Sequence, residues 1–262
     1  MSIVEASPGA LLRDWRRRRR LTQLDLALSA GVSTRHLSFV ESGRSRPSAA
    51  LILRLSEHLE MPLRERNGLL LAAGYAPAFP RHALDAPEMG PARDALERVL
   101  RGHEPYPALV VDRHWGLVAA NRAIGLLTAG VAPDLLEEPV NVLRLALHPD
   151  GLAPSIANLG EWRAHLLDRL GRQAVVSGDP ALAALYDELA AYPGGEPARP
   201  DPAAGEIATP LRLRVDDREL AFLSTVSTFG TAVDVTLAEL AIESFFPADA
   251  ATAAYLQERA AG

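Results

Sequence analysis

Apolar residues in the first third of the chain recur at helical spacing in short blocks, each with its own start signal. Between residues 9 and 75 this pattern predicts five short helices. Thr22 is a candidate N-cap with Asp25 three residues on, and Leu21 and Leu26 take the N′ and N4 positions of a hydrophobic staple. That helix should stop at Gly31. The pattern then repeats, with Ser33 as the cap and Val32 and Leu37 as the staple. Leu37 and Val40 face inward on this second helix, which leaves Thr34, Arg35, Ser38 and Phe39 facing out before Gly43 ends it.

The rest of the chain changes period. The runs PALVVD (107–112) and GLVAA (116–120) flank Arg113, His114 and Trp115 as a hairpin would, and Asn121 is suited to cap a following helix. Helical periodicity then dominates to about residue 191. LRLRV (211–215) alternates as a strand, residues 216–218 turn, and 220–229 runs back. A further strand is expected at 233–235, and 236–244 either extends it or forms a closing helix. Repeated prolines from Ala76 to Pro91 stop any continuing helix and mark a boundary. Residues 193–205, rich in Pro and Gly, read as an exposed loop. The expected organisation is a helical domain over 1–76, a Pro-rich linker and connecting helix over 77–104, a mixed domain over 105–249 and a tail over 250–262.

Composition sharpens this division. A chain of 262 residues with 48% hydrophobic and 23% charged residues has room for two folded domains. It has no cysteine and no lysine, which excludes disulfides, cysteine-ligated metals, Schiff bases and a P-loop lysine. The net charge of −6 divides into +5 over residues 1–80 and −11 over the remainder. An acidic body thus carries a basic head suited to phosphate. The seven histidines include no helical i, i+3 or i, i+4 pair, and neither GxSxG nor GxGxxG occurs, so no enzyme, metal site or cofactor is expected. Without an apolar stretch of membrane-spanning length or a leader pattern, a cytoplasmic protein with no membrane insertion is expected.

Short polar side chains and one arginine on the N-terminal half of an exposed helix suit the major groove. Ser33, Thr34, Arg35, Ser38 and Phe39 are the candidate DNA-facing residues, with Arg44, Ser45 and Arg46 placed in the following loop to hold phosphate. The segment LTQLDLALSAGVSTRHLSFVESGRSRPS resembles the XRE, lambda-repressor-like helix-turn-helix. The resemblance implies double-stranded operator DNA as the partner, a phosphate contact for Gln23, and a pair between Glu41 and an arginine of the first helix, Arg16 being the candidate. Phe39 departs from the polar base-reader of phage repressors; contact with a thymine methyl and packing on a sugar are both open to it. Of the arginine run 16–20, at most two can face DNA, because five consecutive positions point all round a helix.

Two strands, a helical insert and three strands describe an antiparallel sheet with helices, the order of PAS-like sensor domains. YPALVVDRHWGLVAANRA, NVLRLALHPDGL, NLGEWRAHLLDRL and VDVTLAELAIESFFPAD resemble the MmyB-like regulators, in which an XRE head precedes a PAS-like ligand-binding domain. That resemblance implies a sensor for an apolar ligand of the fatty-acid class; the element pattern itself gives an α+β protein, and binding to DNA as a homodimer is expected. A carboxylate entering an apolar cavity needs a cation or several donors at its mouth. Asn121, Arg122, Asn141, Arg144 and His148 are the candidates in the matching segments. The other readings are a protein-interaction module whose head binds another regulator, and an enzyme carrying a helix-turn-helix.

Overall fold

A computed structural model describes residues 7–194 and 208–261, and their contacts divide into two units. The expected loop at 193–205 falls almost wholly outside the described residues. The first unit takes the chain as far as Met89 and, separately, Gly230–Ala238.

Among the described residues the first unit opens with five helices: α1 (Pro8–Arg18), α2 (Gln23–Ser29), α3 (Thr34–Glu41), α4 (Ala49–His58) and α5 (Leu63–Ala72). The starts of α2 and α3 follow the caps expected from sequence. Thr22 accepts the Asp25 N–H while the Asp25 carboxylate accepts the Thr22 N–H at 2.9 Å, and Ser33 Oγ accepts the His36 N–H at 3.1 Å. Gly31 (φ 63°) and Gly43 (φ 75°) stop α2 and α3 in the left-handed conformation that glycine adopts without strain. Leu12, Leu26, Leu37, Val40, Ile52, Leu55, Leu69 and Leu70 fill the core with almost no exposure. Gly9 lets α1 meet the end of α3, since a Cβ there would overlap the Val40 carbonyl oxygen.

The strand expected at 233–235 is instead a capped turn. Asp234 Oδ1 accepts the N–H groups of Thr236 (2.8 Å) and Leu237 (3.3 Å), which starts a one-turn helix, α10 (Val235–Ala238). Its other oxygen accepts the His82 N–H and lies 2.8 Å from His82 Nδ1. The Val235 N–H donates to Pro80 O and the Thr236 hydroxyl to His82 O, and α10 packs on α5. Local propensity at Val233 and Val235 favours a strand, but these tertiary bonds prevail.

The second unit holds α6 (Gly90–His103), β1 (Ala108–Val111), β2 (Leu117–Ala120), α7 (Val142–Leu147), α8 (Leu159–Ser177) and α9 (Pro180–Ala190). It continues with β3 (Leu211–Val215), β4 (Arg218–Thr228), β5 (Ala241–Pro247) and α11 (Ala250–Ala261). The five strands form one antiparallel sheet in the order β2-β1-β5-β4-β3, so the last strand of the chain is central. Cross-strand register puts Leu109, Leu211, Leu213, Leu220, Phe222, Ser224, Glu243 and Phe245 on one face. All of them except Ser224 and Glu243 join a core with Trp115, Trp162, Leu166, Leu170, Leu182 and Leu189 from the hairpin, α8 and α9.

Two further expectations need correction. Residues 250–261 are a helix rather than a tail: Asp249 caps its first turn, the Thr252 hydroxyl accepts the Ala221 N–H at 3.0 Å, and Leu256 enters the core. Asn121 precedes a 3-10 turn (Arg122–Leu126) but makes no capping bond to it. Its Oδ1 accepts the Ala108 N–H and its Nδ2 donates to the carbonyls of Leu100 and Tyr106. A buried amide satisfies more backbone there than at a solvent-facing cap.

Candidate nucleic-acid interface and apolar cavity

In the first unit a single carboxylate ties three helices together. Glu41, 3% exposed at the end of α3, receives Arg16 Nε on Oε1 (2.7 Å) and Arg16 Nη2 on Oε2 (2.9 Å), a fork from α1. Gln23 Nε2, from the start of α2, donates to the same Oε2 at 2.8 Å, and Arg13 Nη2 donates to the Glu41 carbonyl at 2.6 Å. Burial pushes the Glu41 carboxyl up, but the hydrogen bonds from Arg16 and Gln23 outweigh it and hold the group below the usual carboxylate range. The expected Arg16 to Glu41 pair is thus present. Gln23, bound to Glu41 through one N–H, still has the second for a phosphate.

The outward face of α3 presents exposed Arg35 beside half-buried Thr34, Ser38 and Phe39. Phe39 is a platform for two cations, with Arg35 5.4 Å and Arg44 6.0 Å from its ring centroid. The N–H groups of Arg44 and Ser45 both bond Phe39 O, which fixes the loop after α3. Ser33 is exposed and its oxygen serves as the cap, so its hydroxyl proton is free to donate. Arg46 is more committed, donating to Ala73 O at 2.8 Å and lying over the Tyr75 ring. In the arginine run, Arg16 is internal, Arg18 pairs with Asp14, and Arg19 holds the carbonyls of Leu59 and Glu60. Among the described residues, Arg17 and Arg20 are exposed with no ion pair.

The second unit contains an apolar cavity against one sheet face. Its walls come from Leu109, Leu117 and Phe245 of the sheet, Leu143 and Ala146 of α7, and Trp162 and Leu166 of α8. Counted together with the open solvent at its mouth, the space it holds is about 710 Å³. Glu243 is the charged residue among the wall residues, 5% exposed on the central strand.

The five residues expected at the cavity mouth are not wall residues. Asn121 is spent on backbone, as described above, and Arg122 is exposed. Asn141 caps α7 through the Arg144 N–H and donates to His114 O at 2.9 Å. Arg144 forks onto Glu188 at 2.6 and 2.8 Å, and His148 meets the Tyr192 ring edge-on. Arg144, together with the Tyr192 hydroxyl, holds the Glu188 carboxyl down at about 2. Arg169 and Ser224, which bond Glu243, and Glu243 itself carry no sequence signal, because their partners lie far along the chain.

Comparison with known proteins agrees with both halves. Residues 12–66 match the helix-turn-helix family. Over 81 residues the chain is 38% identical to an uncharacterised HTH-type transcriptional regulator, RghRB, of Bacillus subtilis, covering 30% of this chain and 56% of that protein. The chain therefore spans about half the length of the curated relative it matches. Residues 92–258, more than half of the chain, match the family described as the MmyB-like transcription regulator ligand binding domain. With a helix-turn-helix of XRE type ahead of that domain, the chain belongs to the MmyB-like transcription regulator family.

Proposed function

We propose that the protein is a cytoplasmic, sequence-specific DNA-binding transcription regulator, not an enzyme, that acts as a homodimer whose operator affinity responds to a small apolar ligand. The observation that carries the DNA reading is the outward face of α3. Arg35 stands on Phe39 beside Thr34 and Ser38, while the amide of Gln23 and the guanidinium of Arg44 flank the same helix. Arg35 is suited to a guanine edge, and Gln23, Ser33, Arg44, Ser45 and Arg46 to phosphate. Two heads on one operator must sit about 34 to 36 Å apart, so a small change in their spacing weakens binding.

The PAS-like strand order and the apolar cavity support a sensor role for the second unit, with a fatty-acid-like chain the class that the resemblance suggests. Electrophoretic mobility shift with the protein's own promoter region tests the DNA reading. Arg35→Ala should abolish preference for that sequence, and Gln23→Ala should weaken binding to all sequences; unchanged binding in both defeats the assignment. A second reading, a head that binds another regulator, is favoured by Leu24 and Leu28. They lie one turn apart on α2 and are 55% and 71% exposed.

A further inference from the structure

The connection between β4 and β5 is short at both ends and committed in the middle. Phe229 alone lies between β4 and the segment that joins the first unit, and Glu239 and Leu240 alone lie between α10 and β5. The three Cα–Cα steps from Ala238 to Ala241 span at most about 11 Å, so this tether holds little slack. It is pinned as well: Leu240 is buried, and Glu239 Oε1 lies 3.5 Å from Arg113 Nη1 in the β1–β2 turn. Directly beyond it, β5 supplies Glu243 and Phe245 to the cavity wall. In the middle of the connection, buried Asp234 accepts the His82 N–H, the Val235 N–H donates to Pro80 O at 2.9 Å, and the Thr236 hydroxyl donates to His82 O at 2.6 Å. The helix on which α10 packs, α5, packs in turn on α1 and α4, and α1 holds the end of α3 through Arg16 and Glu41.

We propose that residues 230–238 are the element that couples the cavity to the DNA-reading helices: a molecule filling the cavity displaces the wall strand β5, and this turn passes the displacement to Pro80, His82 and α5. This rests on the ligand-responsive reading above and specifies the route of the response. A connection that only closed an antiparallel pair would need about two to five residues and no partner beyond the sheet. Here twelve residues join the paired strand ends Thr228 and Ala241, and the middle of them is bonded to the helical unit. A packed and capped turn does not stretch gradually; it keeps its bonds and moves its partners, or it gives the bonds up. Both outcomes change the support of α5. Linkage is reciprocal, so operator binding changes ligand affinity by the same factor.

Fluorescence anisotropy of the full-length protein on its own promoter region, with and without dodecanoate, tests the proposal. In the unaltered protein dodecanoate should change the Kd for that DNA by about fivefold or more. Asp234→Asn keeps an oxygen to cap α10 but sets an N–H against the His82 N–H, and Thr236→Val removes the bond to His82 O. With both replacements the Kd without dodecanoate should stay as it was, and the change on adding it should be lost. A full-sized response in the double variant would overturn the coupling role and leave the ligand-responsive reading standing. No response in the unaltered protein would overturn both. Hydrogen exchange follows the same route without any variant, so a double variant that does not fold is no obstacle. Dodecanoate should alter the protection of the Val235 and His82 amides, and a change confined to the cavity walls would overturn the proposal.

Discussion

Arg144 and Glu188 meet as a fork, with Tyr192 donating to the same carboxylate at 2.6 Å. Because the folded pKa of Glu188 is depressed to about 2, the pair stabilises the fold above the ordinary carboxylate range, and that contribution is lost as pH falls through the range down to about 2. Both side chains are more than a third exposed, so solvent screening keeps the contribution to about 1 kcal/mol or less. In Arg144→Ala the Glu188 carboxyl should rise toward its ordinary value, with Tyr192 still holding it down in part, read from carboxyl carbon shifts by NMR. At this scale the sequence shows residue types but not their partners. Asn141, Arg144 and His148 sit in a segment that suits a polar mouth, yet each is bound elsewhere. Glu243 reads as one acid in an acidic domain until β5 is placed at the centre of the sheet.

The helix-turn-helix elements were legible because their signals are local. Caps, staples and left-handed glycines lie within a few residues of the turns they make, and α2 and α3 begin and end where those signals fall. The turn at Val235–Ala238 reads as a strand because Val233 and Val235 mask its local Asp234 cap, and the bonds that hold it come from residues about 150 positions away. How α1, α2 and α3 are locked is likewise a matter of one group. Glu41→Ala should leave the Arg16 guanidinium buried without its partner and cost about 3–5 kcal/mol in urea unfolding. The double replacement Arg16→Met, Glu41→Leu, which removes both charges at similar volume, should recover much of that loss. If it does not, the shape of the fork rather than its charge holds the helices. Weakened DNA binding should accompany the single variant, because Gln23 loses the acceptor that aims it.

At the scale of the whole molecule, the division into a basic helical head and an acidic α+β body was visible in charge and hydrophobic period alone. The sheet order, the cavity and the cover that α11 gives to β4 depend on pairings between distant segments, which no local pattern reports. Nor does any local pattern report that the chain contributes to its first unit twice. Residues 230–238, cut from the connection between β4 and β5, belong with the helices that begin the chain. This head is therefore a two-piece module and cannot be exchanged as one stretch of gene. A chimera that imports a related head over residues 1–89 alone would strand α5, Pro80 and His82 without the turn that answers them. Importing the related 230–238 segment as well should give the higher melting temperature of the two chimeras. Recombination within this family would then conserve heads and their distant inserts as matched pairs.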